Sequence, residues 1–97
     1  MTGYNELKGA GQILVVEDDP VQRRLLKNAI ERHGHVVHQA ENGRIGLEMV
    51  KRDSGLFNVI VLDLMMPEMT GLEFLDALHE LGTQIPVIVQ TGQGGIE

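Results

Sequence analysis

Four short runs of branched apolar residues, separated by stretches of helical periodicity, organise the chain. The first run, Ile13-Leu14-Val15-Val16, does not alternate with polar residues and stops abruptly at Glu17-Asp18-Asp19-Pro20, the pattern of a strand buried on both faces. Pro20 suits the first turn of a helix and Asp19 its cap. Val21, Leu25, Ala29 and Ile30 then recur at helical spacing as far as Gly34, which predicts an amphipathic helix with these residues on its apolar face. The cycle repeats. A strand is predicted over residues 35–39, a helix over 43–52 with Ile45, Met49 and Val50 turned inward, and a third strand over Val59-Ile60-Val61-Leu62, again closed by a carboxylate, Asp63. Thr70 offers a cap with Glu73 completing a capping box, and Phe74, Leu75, Leu78 and Leu81 give a third helical face ending at Gly82. Pro86 then opens a fourth strand, Val87-Ile88-Val89. The order βαβαβαβ with Val- and Ile-rich strands predicts an α/β fold: an open parallel sheet with right-handed crossovers and helices on both faces. Residues 1–11, polar and carrying Gly3, Gly9 and Gly11, are expected to form a flexible N-terminal segment ahead of a domain over residues 12–97.

Composition narrows the function classes. At 97 residues the chain is the size of one small domain, and 42% hydrophobic with 23% charged residues is ordinary globular usage. Fourteen acidic against eight basic residues give a formal charge of −6, which repels a polyanion and argues against direct nucleic-acid binding. The absence of cysteine removes disulfides, thiolate metal ligands and a cysteine nucleophile from consideration. No apolar run approaches the length of a membrane span and the opening residues do not resemble a signal peptide, so the expectation is a cytoplasmic domain with no membrane partner.

Chemistry concentrates where strands end. In an open parallel sheet the carboxyl ends of neighbouring strands form a crevice, so Glu17 and Asp18 are expected to face Asp63. Like charges about 4 Å apart repel by roughly 4 kcal/mol at an effective dielectric near 20, so such a cluster calls for protonation, displacement or a bound cation. Oxygen-only ligands favour a hard divalent ion, Mg²⁺ before Ca²⁺, since the chain has no ligand-rich loop of the EF-hand kind. Taken alone, Glu17-Asp18-Asp19 also fits a solvated strand end with a helix cap; it is Asp63, arriving at the end of another strand, that favours the functional reading. His35 and His38 would point to opposite faces of one strand and make a poor joint ligand set. Met65, Met66 and Met69 fall in a loop and read as packing residues. Arg23-Arg24 reads as the solvated side of the first helix, with docking of a partner protein beside the acidic crevice as the alternative.

Three segments taken together resemble the receiver domain of two-component response regulators: Leu14-Val15-Val16-Glu17-Asp18-Asp19-Pro20, Val61-Leu62-Asp63-Leu64-Met65-Met66-Pro67-Glu68-Met69-Thr70-Gly71 and Pro86-Val87-Ile88-Val89-Gln90-Thr91. The resemblance implies a flavodoxin-like sheet and a phosphoacceptor role, in which Asp63 takes a phosphoryl group from a sensor histidine kinase in a phosphorelay. By the same resemblance Asp18 and Asp63 are carboxylate ligands of Mg²⁺, Glu17 acts on it through water, Met65 contributes its backbone carbonyl, and Thr91 is similar to the family's switch threonine. Such a module is a signalling acceptor and not an enzyme in the usual sense.

The family pattern also includes a fifth strand ending in a phosphate-pairing lysine, a switch aromatic and two further helices. No lysine follows Lys51, and the aromatic residues are Tyr4, Phe57 and Phe74. The expectation is therefore a receiver cut short, with strand order 2-1-3-4 and lacking the fifth strand and last two helices. Its fourth strand would be an exposed apolar edge through which the chain forms a homodimer. The competing function is a receiver-like docking or dimerisation domain without phosphotransfer. A metal-dependent phosphatase has less support, because Met65 stands where a second acid would follow Asp63.

Overall fold

The computed structural model describes residues 11–90. In chain order the elements are β1 (Gln12–Val16), α1 (Pro20–Arg32), β2 (Val36–Ala40), α2 (Gly43–Arg52), β3 (Val59–Asp63), α3 (Gly71–Leu81) and β4 (Val87–Gln90). The four strands form one sheet in the order β2-β1-β3-β4, and every pairing is parallel. From β1 to β2 the chain steps one way along the sheet; from β2 to β3 and on to β4 it steps the other way. Right-handed crossovers therefore put α1 on one face and α2 and α3 together on the opposite face. The contacts agree: α2 and α3 pack on each other, and α1 lies over β1 and β2.

The two faces differ in how much they bury. Leu14, Val16, Ile60 and Leu62 point toward α2 and α3 and join Ala40, Val50, Phe57, Met66, Phe74 and Leu78 in one core. Phe74, Leu14, Ile60 and Leu62 are fully enclosed, each contributing about 1.5–3 kcal/mol of apolar burial. On the α1 face, β1 is covered at Ile13 and Val15, but α1 itself has no buried residue. Val21 and Leu25, expected on its packed side, are 55% and 59% exposed. Leu26, Ala29 and Ile30 are the half-buried apolar positions of α1, so its packed stripe lies to one side of the stripe the spacing suggested. An i, i+4 pattern locates apolar residues on a helix but does not say how much of that stripe a neighbour covers.

Element ends follow local chemistry closely. Asp19 Oδ1 accepts from the Val21 amide with Pro20 in the first turn, and Asn42 caps α2 by accepting from Ile45. Thr70 and Glu73 exchange both hydrogen bonds of the capping box. Gly82 stops α3 at φ 77°, a left-handed conformation that a side chain resists. β2 begins one residue later than expected. His35 stays outside the strand because its Nδ1 accepts from the Gly11 amide, while the Val36 amide takes up the ladder by donating to the Gly11 carbonyl.

Candidate metal and phosphoryl centre

Strand polarity brings the acids together. Glu17 directly follows β1, and its amide still donates to the Ala40 carbonyl at 3.1 Å, so the ladder with β2 runs one residue past the strand. The side chain of Arg23 donates to the Glu17 carbonyl at 2.8 Å, pinning the turn from the α1 side. Arg23 is thus half-buried against the β1 end and not on the solvated side of the helix, as its sequence position had suggested. It also borders a cleft of about 260 Å³ with Gln39, Glu41 and Ile45.

Asp63 ends β3, 3% exposed, with Oδ1 accepting from the Met65 amide at 3.0 Å. The loop behind it is tight. Gly71 donates to the Leu64 carbonyl, and a Cβ at Gly71 would stand 2.6 Å from Leu64 Cα and 3.1 Å from the Asp63 carbonyl oxygen. A glycine there lets α3 start against the very strand end that carries Asp63.

Oxygens of Glu17, Asp18 and Asp63 all lie within 4.8 Å of one another. Glu17 is 1% exposed and Asp63 3%, whereas Asp18 is half-buried and opens the cluster to solvent. Burial pushes the Glu17 carboxyl up to about 7 from 4.5, reinforced by its hydrogen bond with Asp63 and by repulsion from Asp63 and Asp18; the Asp19 amide, donating to Glu17 Oε2 at 3.1 Å, works in the opposite direction. The donor set is oxygen throughout and carries more negative charge than its surroundings neutralise, which fits a hard divalent cation.

All three acids named from the sequence therefore meet. Met65 keeps its peptide beside the centre through its amide bond to Asp63, while its side chain is 70% exposed. Thr91 lies outside the described residues. Residue spacing did not reveal a fourth participant, Gln90, whose Nε2 donates to Glu17 Oε1 at 3.3 Å. Its signal was a lone polar side chain closing an otherwise apolar strand. The histidines take no part: His38 Nε2 pairs with Gln12 Oε1 at 2.7 Å, and the ring stacks edge-on against Phe57.

The fold and site define a class: doubly wound parallel α/β domains with an acidic, oxygen-only centre at the ends of adjacent strands. The family model of the response regulator receiver domain matches residues 13–97, and the chain belongs to that family. It is 38% identical over 85 residues to the transcriptional regulatory protein SrrA of Staphylococcus aureus, an alignment that covers 88% of this chain and 34% of SrrA. The chain spans about a third of the length of the curated relatives it matches. Among solved structures, the receiver domain of the Francisella response regulator 1452 is similar with a TM-score of 0.78 and 27% identity, covering 89% of this chain and 69% of that one. The response regulator TrrA of Thermotoga maritima, solved in complex with Mg²⁺-BeF, has a TM-score of 0.76 and 33% identity, covering 87% of this chain and 71% of its own. These relatives also share the flavodoxin-like sheet implied by the sequence motifs.

Proposed function

We propose that this domain is the phosphoacceptor of a two-component phosphorelay, receiving a phosphoryl group on Asp63 from a phosphohistidine of a sensor histidine kinase in the cytoplasm. The observation that carries the reading is the convergence of Glu17, Asp18 and Asp63 within 4.8 Å at the ends of β1 and β3. Receiver domains bind Mg²⁺ at an acidic pocket, and here Asp18 and Asp63 would hold it, with the Met65 carbonyl, and Glu17 through water. When bound, the ion neutralises the anionic phosphoryl group so that an anionic nucleophile can approach it.

The chain's own residues supply the rest. The Met65 amide fixes Asp63 Oδ1 and so orients the carboxylate, leaving Oδ2 as the attacking oxygen. An O–P bond forms as the P–N bond to the donor imidazole breaks, and the imidazole leaves with the bonding pair and takes up a proton. The product carries close to two added negative charges at the crevice, which makes the reading one of signalling and not of turnover.

Incubation with Mg²⁺ and acetyl phosphate or a phosphorylated kinase, followed by phosphate-affinity electrophoresis, tests this directly. Expected is one hydroxylamine-labile phosphoryl group per chain, lost in Asp63→Asn and on chelation of Mg²⁺. Absence of incorporation, or incorporation that survives Asp63→Asn, would overturn the assignment.

A further inference from the structure

Gln90 occupies a position that the phosphoacceptor reading does not use. It is the polar residue of β4, after Val87, Ile88 and Val89. Register places it opposite Asp63, and Asp63 lies one step beyond the pair Leu62 and Val16, level with Glu17. Glu17, Asp63 and Gln90 thus form a row across three adjacent strand ends, on the α1 face of the sheet. The half-buried carboxamide of Gln90 reaches past Asp63 to Glu17, and its main-chain carbonyl accepts from the Leu64 amide at 3.1 Å. One residue therefore joins the ends of three strands.

The carboxylate it meets is enclosed, and both its oxygens are held: Oε2 by the Asp19 amide, Oε1 by Gln90. A neutral N–H donor is the group this place requires. An apolar side chain would take one N–H donor from a buried carboxylate that would keep only the Asp19 amide and its bond with Asp63, a carboxylate would add a fourth negative charge, and a cationic side chain would neutralise the cluster in place of a metal ion. We propose that Gln90 is a positioning residue of the acidic centre: its carboxamide orients Glu17 toward the divalent cation and makes the placement of the β4 end depend on whether the centre is filled. The proposal rests on the Mg²⁺-dependent reading above and adds a link from the centre to the strand that leads into Thr91. A ligand's hydrogen-bond partner governs its orientation, and its removal is felt as weaker metal binding.

The test uses the whole 97-residue chain with Mg²⁺ as the probe. In wild type, the Gln90 side-chain amide resonances should shift with Mg²⁺ along the same saturation curve as the backbone amides around Asp63. Gln90→Met and Gln90→Leu, which remove the donor, should weaken Mg²⁺ binding by roughly three- to tenfold in calorimetry. In a Glu17→Gln background the same substitutions should have no further effect, because the carboxylate they act through is gone. Affinities within twofold of wild type in the folded variants, or an equal loss in the Glu17→Gln background, would overturn the positioning role. Unshifted Gln90 amide resonances at saturation would overturn the link to β4, and this measurement needs no variant to fold. Wild type that binds no Mg²⁺ saturably would instead overturn the phosphoacceptor reading itself.

Discussion

Glu17 sets the pH behaviour of the domain. Its folded pKa of about 7 lies above the ordinary 4.5, so between these values the folded state holds a proton that the unfolded chain has released. Stability from this group is full below about pH 4.5 and is lost as the pH rises through 7. Thermal denaturation of the metal-free protein should therefore show Glu17→Gln to be more stable than wild type at about pH 8, with the difference vanishing toward pH 5. Protons and cations compete for the same oxygens, so Mg²⁺ affinity should fall as the pH drops below about 7, a trend that calorimetry at several pH values would reveal. At this scale the sequence was readable wherever a side chain's role follows from its chemical type and its place at a strand end, as with Glu17, Asp18 and Asp63. Gln90 and Arg23 were not readable in that way. The Gln90 contact spans 73 positions, and the Arg23 side chain turns back to a main-chain carbonyl, so neither partner is visible from local pattern.

Caps and turns at the element ends carry their own signals because they are made within a few residues. Asp19, Thr70 with Glu73, and Gly82 stand where the helices of the structure begin and end. Thr70→Ala should cost about 1 kcal/mol through loss of the α3 cap, read as a lower denaturation midpoint. Gly71→Ala should cost more, about 1–3 kcal/mol, because its Cβ would press on the Leu64 backbone; the same displacement should slow phosphorylation of Asp63, separable from stability by assay well below the melting temperature. What local pattern did not determine was coverage. The spacing of Val21 and Leu25 predicted an apolar helix face correctly as chemistry, yet both remain largely exposed because α1 meets the sheet through its neighbouring residues. The one-residue delay of β2 has a similar origin, in a His35 contact to Gly11 that lies 24 positions away.

Across the whole molecule the alternation of apolar runs was sufficient for a parallel sheet with helices on both faces, because handed crossovers leave few other arrangements, whereas the order 2-1-3-4 was legible only through the resemblance of the strand-end motifs to receiver domains. The packing is lopsided. The α2 and α3 side encloses a continuous core, while on the other side Val21, Leu25 and Ile88 present apolar surface, and among the described residues β4 is an edge strand with Val89 43% exposed. Such a surface favours association. Light scattering of the chain at rising concentration should give masses above that of a monomer, and Ile88→Lys, which places a charge on the edge without entering the core, should return it to monomer.

The crowding of acids at the strand ends has a consequence for anyone who reshapes this domain. A library sorted only by resistance to heat, with no divalent ion in the medium, would reward the loss of Glu17 or Asp63 and drift toward sturdy chains that no longer carry a message. Keeping the ion and a phosphoryl donor in the sort reverses that pressure, because what burdens the empty fold is what the working one requires.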